Sequence, residues 1–158
     1  LGTGIRHSPM NASNLQNLLD LNWSLLKQAL PSFERSLVKC RDLDFSLPIS
    51  FETEESLDAL SSKFSRVSDI FTQKALKTLI FVLREDAPTF LDRMNLCEKL
   101  GIIPSAEELI AIRDLRNIIA HEYLNENLVE IYMEIIELSD NLLKAILETE
   151  RFFIKIKT

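Results

Sequence analysis

One stripe of residues constrains this chain more than any other feature. Leu57, Leu60, Phe64, Val67, Phe71, Ala75, Thr78 and Val82 alternate three and four positions apart. That spacing lines one face of an α-helix, whereas the two-residue period of a strand would scatter the same residues over both faces. The stripe predicts a single long helix from about Thr53 to Arg84 with one buried side.

Similar stripes lie on either side. Leu15, Leu18, Leu25, Leu26, Ala29, Phe33 and Leu37 predict a first helix from Ser13 to about Cys40, with Pro31 expected to kink or split it. The segment from Arg41 to Glu52, broken by Pro48, reads as a loop. Asp86 and Pro88 are expected to open a shorter helix that closes near Leu100 and Gly101. Ser105-Ala-Glu-Glu108 has the form of a capping box, in which serine and glutamate side chains satisfy free backbone donors of a fourth helix. After Asn125, Leu128, Ile131, Ile135, Leu138, Leu142, Ala145, Thr149 and Phe152 predict a long final helix.

Only 3 Gly and 5 Pro in 158 residues leave little turn chemistry for a β-rich fold. The expected class is therefore all-α, an up-and-down bundle of four to five helices. A chain of this length supports one sizeable core, so residues 11–158 are read as a single helical domain. Residues 1–10, LGTGIRHSPM, lack periodicity and read as a disordered tail or expression remnant, which sets His7 apart and leaves His121 as the histidine of the folded part. No apolar run approaches the roughly 18–20 residues that span a bilayer, and no secretory leader is recognisable, so a cytoplasmic location is expected. Cys40 and Cys97 stand far apart with no paired cysteine or histidine, so reduced structural thiols are expected. A net charge of −6 argues against a surface that grips long nucleic acid through many phosphates, though it leaves the charge of a small cleft open.

The chemistry-bearing residues gather in Arg113-Asp-Leu-Arg-Asn-Ile-Ile-Ala-His-Glu-Tyr123, inside the fourth helix. At about 100° per residue, Ala111, Ile112, Leu115, Ile118 and Ile119 share an arc assigned to the core. Arg113, Arg116, Asn117, His121 and Tyr123 then surround Ala120, a small residue that leaves room for a ligand. Asn117 and His121, four apart, are within reach of each other, and the long Arg116 side chain can bend toward the same space. An imidazole gives or takes a proton near neutral pH, and a guanidinium fork orients phosphate oxygens, so the set suits phosphodiester chemistry. The competing reading is that these are solvated residues on an ordinary surface helix. Metal chemistry finds no support: position 125 is Asn where a zinc-binding HExxH needs its second histidine, and position 118 is Ile where a di-iron bundle needs Glu. A phosphotransfer bundle would want Lys and Gly just after the histidine, where Leu124 and Asn125 stand.

The stretch Arg116-Asn-Ile-Ile-Ala-His121-Glu-Tyr123 resembles the R-x4-H-x-Y signature of HEPN proteins, in particular the HepT-like toxins paired with minimal nucleotidyltransferases, and the order of helices around it is similar. The resemblance covers the second to final helices, with its sharp motif confined to this stretch. It implies a metal-independent endoribonuclease, without cofactor, that acts as a homodimer whose two motif helices meet at one cleft. His121 would be the general acid/base, Arg116 would hold the scissile phosphate, Asn117 would orient the site, and Arg113 would add a substrate contact. Tyr123 would be the residue that a partner nucleotidyltransferase modifies to silence the toxin, by adding bulk and negative charge. Asp69, Lys63 and Arg66 on the second helix are candidates to join the site, Asp69 by pairing with one of its arginines. The long segment from Arg41 to Glu52 departs from the family pattern and keeps open a second reading, a non-catalytic helical subunit that binds a nucleotidyltransferase.

Overall fold

The computed structural model describes residues 11–121 and 127–157. Among them every regular element is helical and none is a strand: α1 (Ala12–Arg41), α2 (Phe51–Asp69), a π-helical segment (Ile70–Ala75), α3 (Leu76–Val82), α4 (Phe90–Lys99), α5 (Ala106–Ala120) and α6 (Leu128–Lys157). The all-α class expected from periodicity is the class observed.

Starts are set by short polar side chains that accept a backbone N–H three residues on, as free donors at a helix N-terminus require. Asn11 accepts from Asn14 at 2.8 Å, Ser50 from Thr53 at 3.1 Å and Ser105 from Glu108 at 3.2 Å. The reciprocal capping box forms at α4, between Thr89 and Asp92, so that helix begins at Phe90, later than the Asp86-Pro88 signal suggested. α1 passes through Pro31 without a break. Pro31 is exposed, so the ring and the hydrogen bond it cannot make lie on the wet side of the helix, while Leu26, Leu30, Phe33 and Leu37 hold the buried side together.

The long central stripe is interrupted in hydrogen bonding but not in direction. α2, the π-helical segment and α3 follow one another directly from Phe51 to Val82, and the wider i→i+5 turn at Ile70–Ala75 adds one residue to the repeat. Two helices end with the same pair of backbone bonds around a left-handed residue. After α4 that residue is Gly101 (φ 76), with Ile102 N–H bonded to the Cys97 carbonyl and Gly101 N–H to that of Glu98. After α3 it is Arg84 (φ 60), a side chain where glycine is usual, with Glu85 and Arg84 bonded back to Ile80 and Phe81.

The core runs between α1 and the α2–α3 rod, filled by Phe33, Phe64 and Phe71, each with no exposed surface, and continues under α5 and α6 through Leu109, Ile112, Leu138 and Leu142. Thr78 belongs in the apolar stripe because its hydroxyl accepts from Asn22 at 3.0 Å, which satisfies two buried polar groups at once. Thr149 likewise donates to the Ile102 carbonyl at 3.0 Å. Leu19 and Leu30 are more deeply buried than the Leu15, Leu18, Leu25 and Ala29 positions that the first stripe emphasised. Burial raises the thiols of both Cys40 and Cys97 above the ordinary range, the latter to about 12, which keeps them protonated. No helix among the described residues is long and apolar enough to cross a membrane.

Candidate functional site

α5 buries Ala106, Leu109, Ile112 and Leu115, which places its inward line near Leu109 and Ile112. Continuing that line at about 100° per residue carries it next to Arg116, Ile119 and Ala120. Ile118 falls well off it. This corrects the core arc assigned from sequence: Ile112 and Leu115 are buried, Ala111 and Ile119 are half-buried, and Ile118 is 40% exposed. In its last turns α5 thus presents a guanidinium and a methyl group where earlier turns presented hydrocarbon.

The consequence is a cleft of about 660 Å³ between α2, α5 and α6. Arg116, Ile119 and Ala120 supply the α5 wall, and Leu128, Ile131, Tyr132 and Ile135 the α6 wall. α2 contributes Asp58, Ser61, Ser62 and Ser65, a polar stripe running beside its apolar one at the same three-to-four spacing. Asp69, one turn on, ends that stripe.

Asp69 fixes the arginine. Arg116 donates from Nε to Oδ1 and from Nη2 to Oδ2, both at 2.8 Å, a fork-to-fork pair that locks the plane of the guanidinium. The hydrogen bond to Asp69 raises the Arg116 pKa; burial opposes it and the neighbouring charge adds to it. Both side chains are partly open to solvent, at 30% and 42%, so the pair contributes geometry more than stability. Because Nε and one Nη2 hydrogen are engaged, the Nη1 edge is what an incoming anion would meet. At the other end of the cleft, Tyr132 donates to Asp58 at 2.6 Å, and its phenol is pushed above the usual tyrosine range, first by burial and then by that bond. Ser61 returns its hydroxyl to the Leu57 carbonyl at 2.9 Å, while Ser65 Oγ is buried with no hydrogen-bond partner.

The remaining residues marked from sequence lie around this cleft and not inside its described lining. Arg113 turns toward α4, its guanidinium 4.2 Å from the centre of the Phe90 ring, a cation–π contact. Asn117 is exposed, and so is His121, whose backbone N–H caps α5 by bonding the Asn117 and Ile118 carbonyls, each at 3.2 Å. Five helical residues rotate by about 140°, so within one chain Arg116 faces the cleft while His121 stands on the outer flank of the same helix end. Tyr123 lies outside the described residues. Of the second-helix candidates, Asp69 joins Arg116, Lys63 turns to Ser36 at 2.7 Å, and Arg66 lines an adjoining cavity.

Asp58, Ser61, Ser62, Ser65 and Tyr132 were not marked from sequence. The signal that would have found the first four is their spacing, which repeats the apolar stripe one step round the helix. Comparison with protein-family models, curated proteins and solved structures finds no match.

Proposed function

We propose that the chain is a metal-independent endoribonuclease of the HepT-like HEPN type, the toxin of a pair whose antitoxin is a minimal nucleotidyltransferase. In this reading a homodimer brings two α5 ends together. Arg116 holds the scissile phosphate through its Nη1 edge, Asn117 orients the site, and Arg113 adds positive charge at its margin. His121 takes the proton of the ribose 2′-hydroxyl as the 2′-oxygen attacks phosphorus. The bond to the 5′-oxygen breaks, the proton passes to that leaving oxygen, and a cyclic phosphate remains. Tyr123 is the residue the antitoxin would modify.

The observation that supports this most is the fork between Asp69 and Arg116, the latter lining a cleft whose α5 wall also carries Ala120. A guanidinium with its plane fixed beforehand loses little freedom when it meets a phosphate, which is what catalytic positioning demands. In this reading the exposed flank carrying Asn117, Ile118 and His121 is the surface a second copy covers, and that covering brings an imidazole to the cleft.

The test is cleavage of a cellular RNA pool in EDTA by the wild-type chain beside His121→Ala and Arg116→Ala. Products ending in a cyclic phosphate from the wild type alone carry the proposal. Cleavage that survives both substitutions ends it.

A second reading is favoured by one observation: His121 stands outside the cleft that holds Arg116. A non-catalytic subunit that docks a nucleotidyltransferase would need no convergence of the two. Its signature is no RNA cleavage at high protein concentration, together with a stable complex that Arg116 or Tyr123 substitutions disrupt.

A further inference from the structure

Beside the main cleft, and sharing Arg116 and Ser65 with it, lies a second cavity of about 510 Å³ on the α2 side of the Arg116–Asp69 fork. Arg66, Lys74 and Arg116 line it with Asp69 as its one acid, so three cations face a single carboxylate already committed to Arg116. That local excess stands out on a chain of net charge −6.

The π-helical segment explains how it arises. On an unbroken α-helix, eight residues at about 100° each would carry Lys74 about 80° round from Arg66. The i→i+5 turn at Ile70–Ala75 rotates less per residue and so brings Lys74 back toward the face that holds Arg66 and Asp69. The added residue thus turns Lys74 toward the cavity that Arg66 and Arg116 also line, and such insertions often accompany functional sites.

We infer that Arg66 and Lys74 form a phosphate subsite that holds the RNA backbone one or more nucleotides from the phosphate on Arg116, so that the strand crosses the Arg116–Asp69 fork from one cavity to the other. The inference rests on the ribonuclease reading for the identity of its ligand. Cations that neutralise phosphates leave a mark in salt dependence, because each contact on a single strand releases condensed counterions.

The experiment uses a labelled single-stranded RNA with every 2′-hydroxyl methylated, which cannot be cleaved, and measures its binding to the full chain by fluorescence anisotropy over a range of salt. Arg66→Ala/Lys74→Ala is compared with Lys99→Ala/Lys144→Ala, which removes the same charge from exposed positions outside the cavity. The expected result is binding about tenfold weaker than wild type at low salt, with a salt slope shallower by about 1 to 1.5, for the first variant only. Equal behaviour of the two double variants overturns the inference, as does a wild type that does not bind this RNA. Because no bond is broken, the outcome separates from the catalytic question. Binding that depends on Arg66 and Lys74 in a protein that cleaves nothing keeps the subsite and removes the ribonuclease. Cleavage with two indistinguishable double variants does the reverse.

Discussion

The two halves of α5 obey the same periodicity and do opposite things. Along the inward line, Ala106, Leu109 and Ile112 are at most 3% exposed, and the helix there is welded to the rest of the bundle. The same line then runs into Arg116 and Ala120, the packing thins to Leu115 and the half-buried Ile119, and a cleft opens. The contrast teaches that the stripe of a single helix can both build a core and open a cleft. It is enough that one buried stripe exchange hydrocarbon for a fixed cation and a small residue over its last turns, while the first turns supply rigidity.

The sharpest way to break this contrast is at His121, in the open half. On the ribonuclease reading, His121→Ala should lower RNA cleavage by about 10²–10⁴-fold, the usual contribution of a positioned acid or base. The helix cap is made by the backbone N–H of His121, so losing the side chain does not uncap α5. A variant that melted early would mean that the imidazole is structural and that the open half is not specialised for chemistry.

In the closed half the effects reverse. Leu109→Ala, at a position with no exposed surface, should cost about 2–5 kcal/mol in chemical denaturation through lost burial and a residual cavity. Ile118→Ala, three residues past Leu115 but 40% exposed, should stay within about 0.5 kcal/mol for the isolated chain. Similar costs at the two positions would show that the covered and open halves are not distinct.

Asp69→Asn tests the joint between them. If Asp69 is a positioning residue, cleavage should fall about tenfold while unfolding free energy changes by less than about 1 kcal/mol, because the fork is partly solvated. Asp69→Glu, which restores a carboxylate, should recover part of the rate. A rise in activity for Asp69→Asn would instead reveal a carboxylate that competes with phosphate for Arg116.

The same contrasts separate what is legible in the sequence from what only packing decides. The first, second and last helices are legible because each carries a stripe at three-to-four spacing, and the start of α5 because Ser105 opens a capping-box pattern, whereas the caps at Ser50 and Thr89 emerge only in the structure. The π-helical segment is not legible, since Ile-Phe-Thr-Gln-Lys-Ala is compositionally ordinary helix and its only trace is a one-residue change of phase. Hydrophobicity points Ile118 to the core, whereas the inward line at that turn passes through Arg116 and Ala120 and leaves Ile118 40% exposed. Pro31 leaves α1 intact because the effect of a helix-interior proline depends on whether its side of the helix is wet, and here it is. The pairing of Asp69 with Arg116 was available only as one of several options, since forty-odd residues separate the two and only packing of α2 against α5 selects it.

The smallest effect belongs to the far end of the cleft, where Tyr132 ties α6 to Asp58 on α2. Asp58 is exposed and can be hydrated once its donor is gone, so Tyr132→Phe should cost only about 1 kcal/mol at neutral pH. The pH dependence then tells whether the bond is made. The Tyr132 phenol is held above its ordinary value by burial and by Asp58, so the folded state favours the protonated form. That contribution is complete below the usual tyrosine pKa of about 10 and is lost as pH climbs from there through the folded value. Wild-type stability should therefore fall more steeply above pH of about 10 than that of Tyr132→Phe, and the two curves should converge in alkali. Parallel curves would mean that Tyr132 and Asp58 do not hold the cleft together, and that its open state depends on the hydrocarbon of α6 alone.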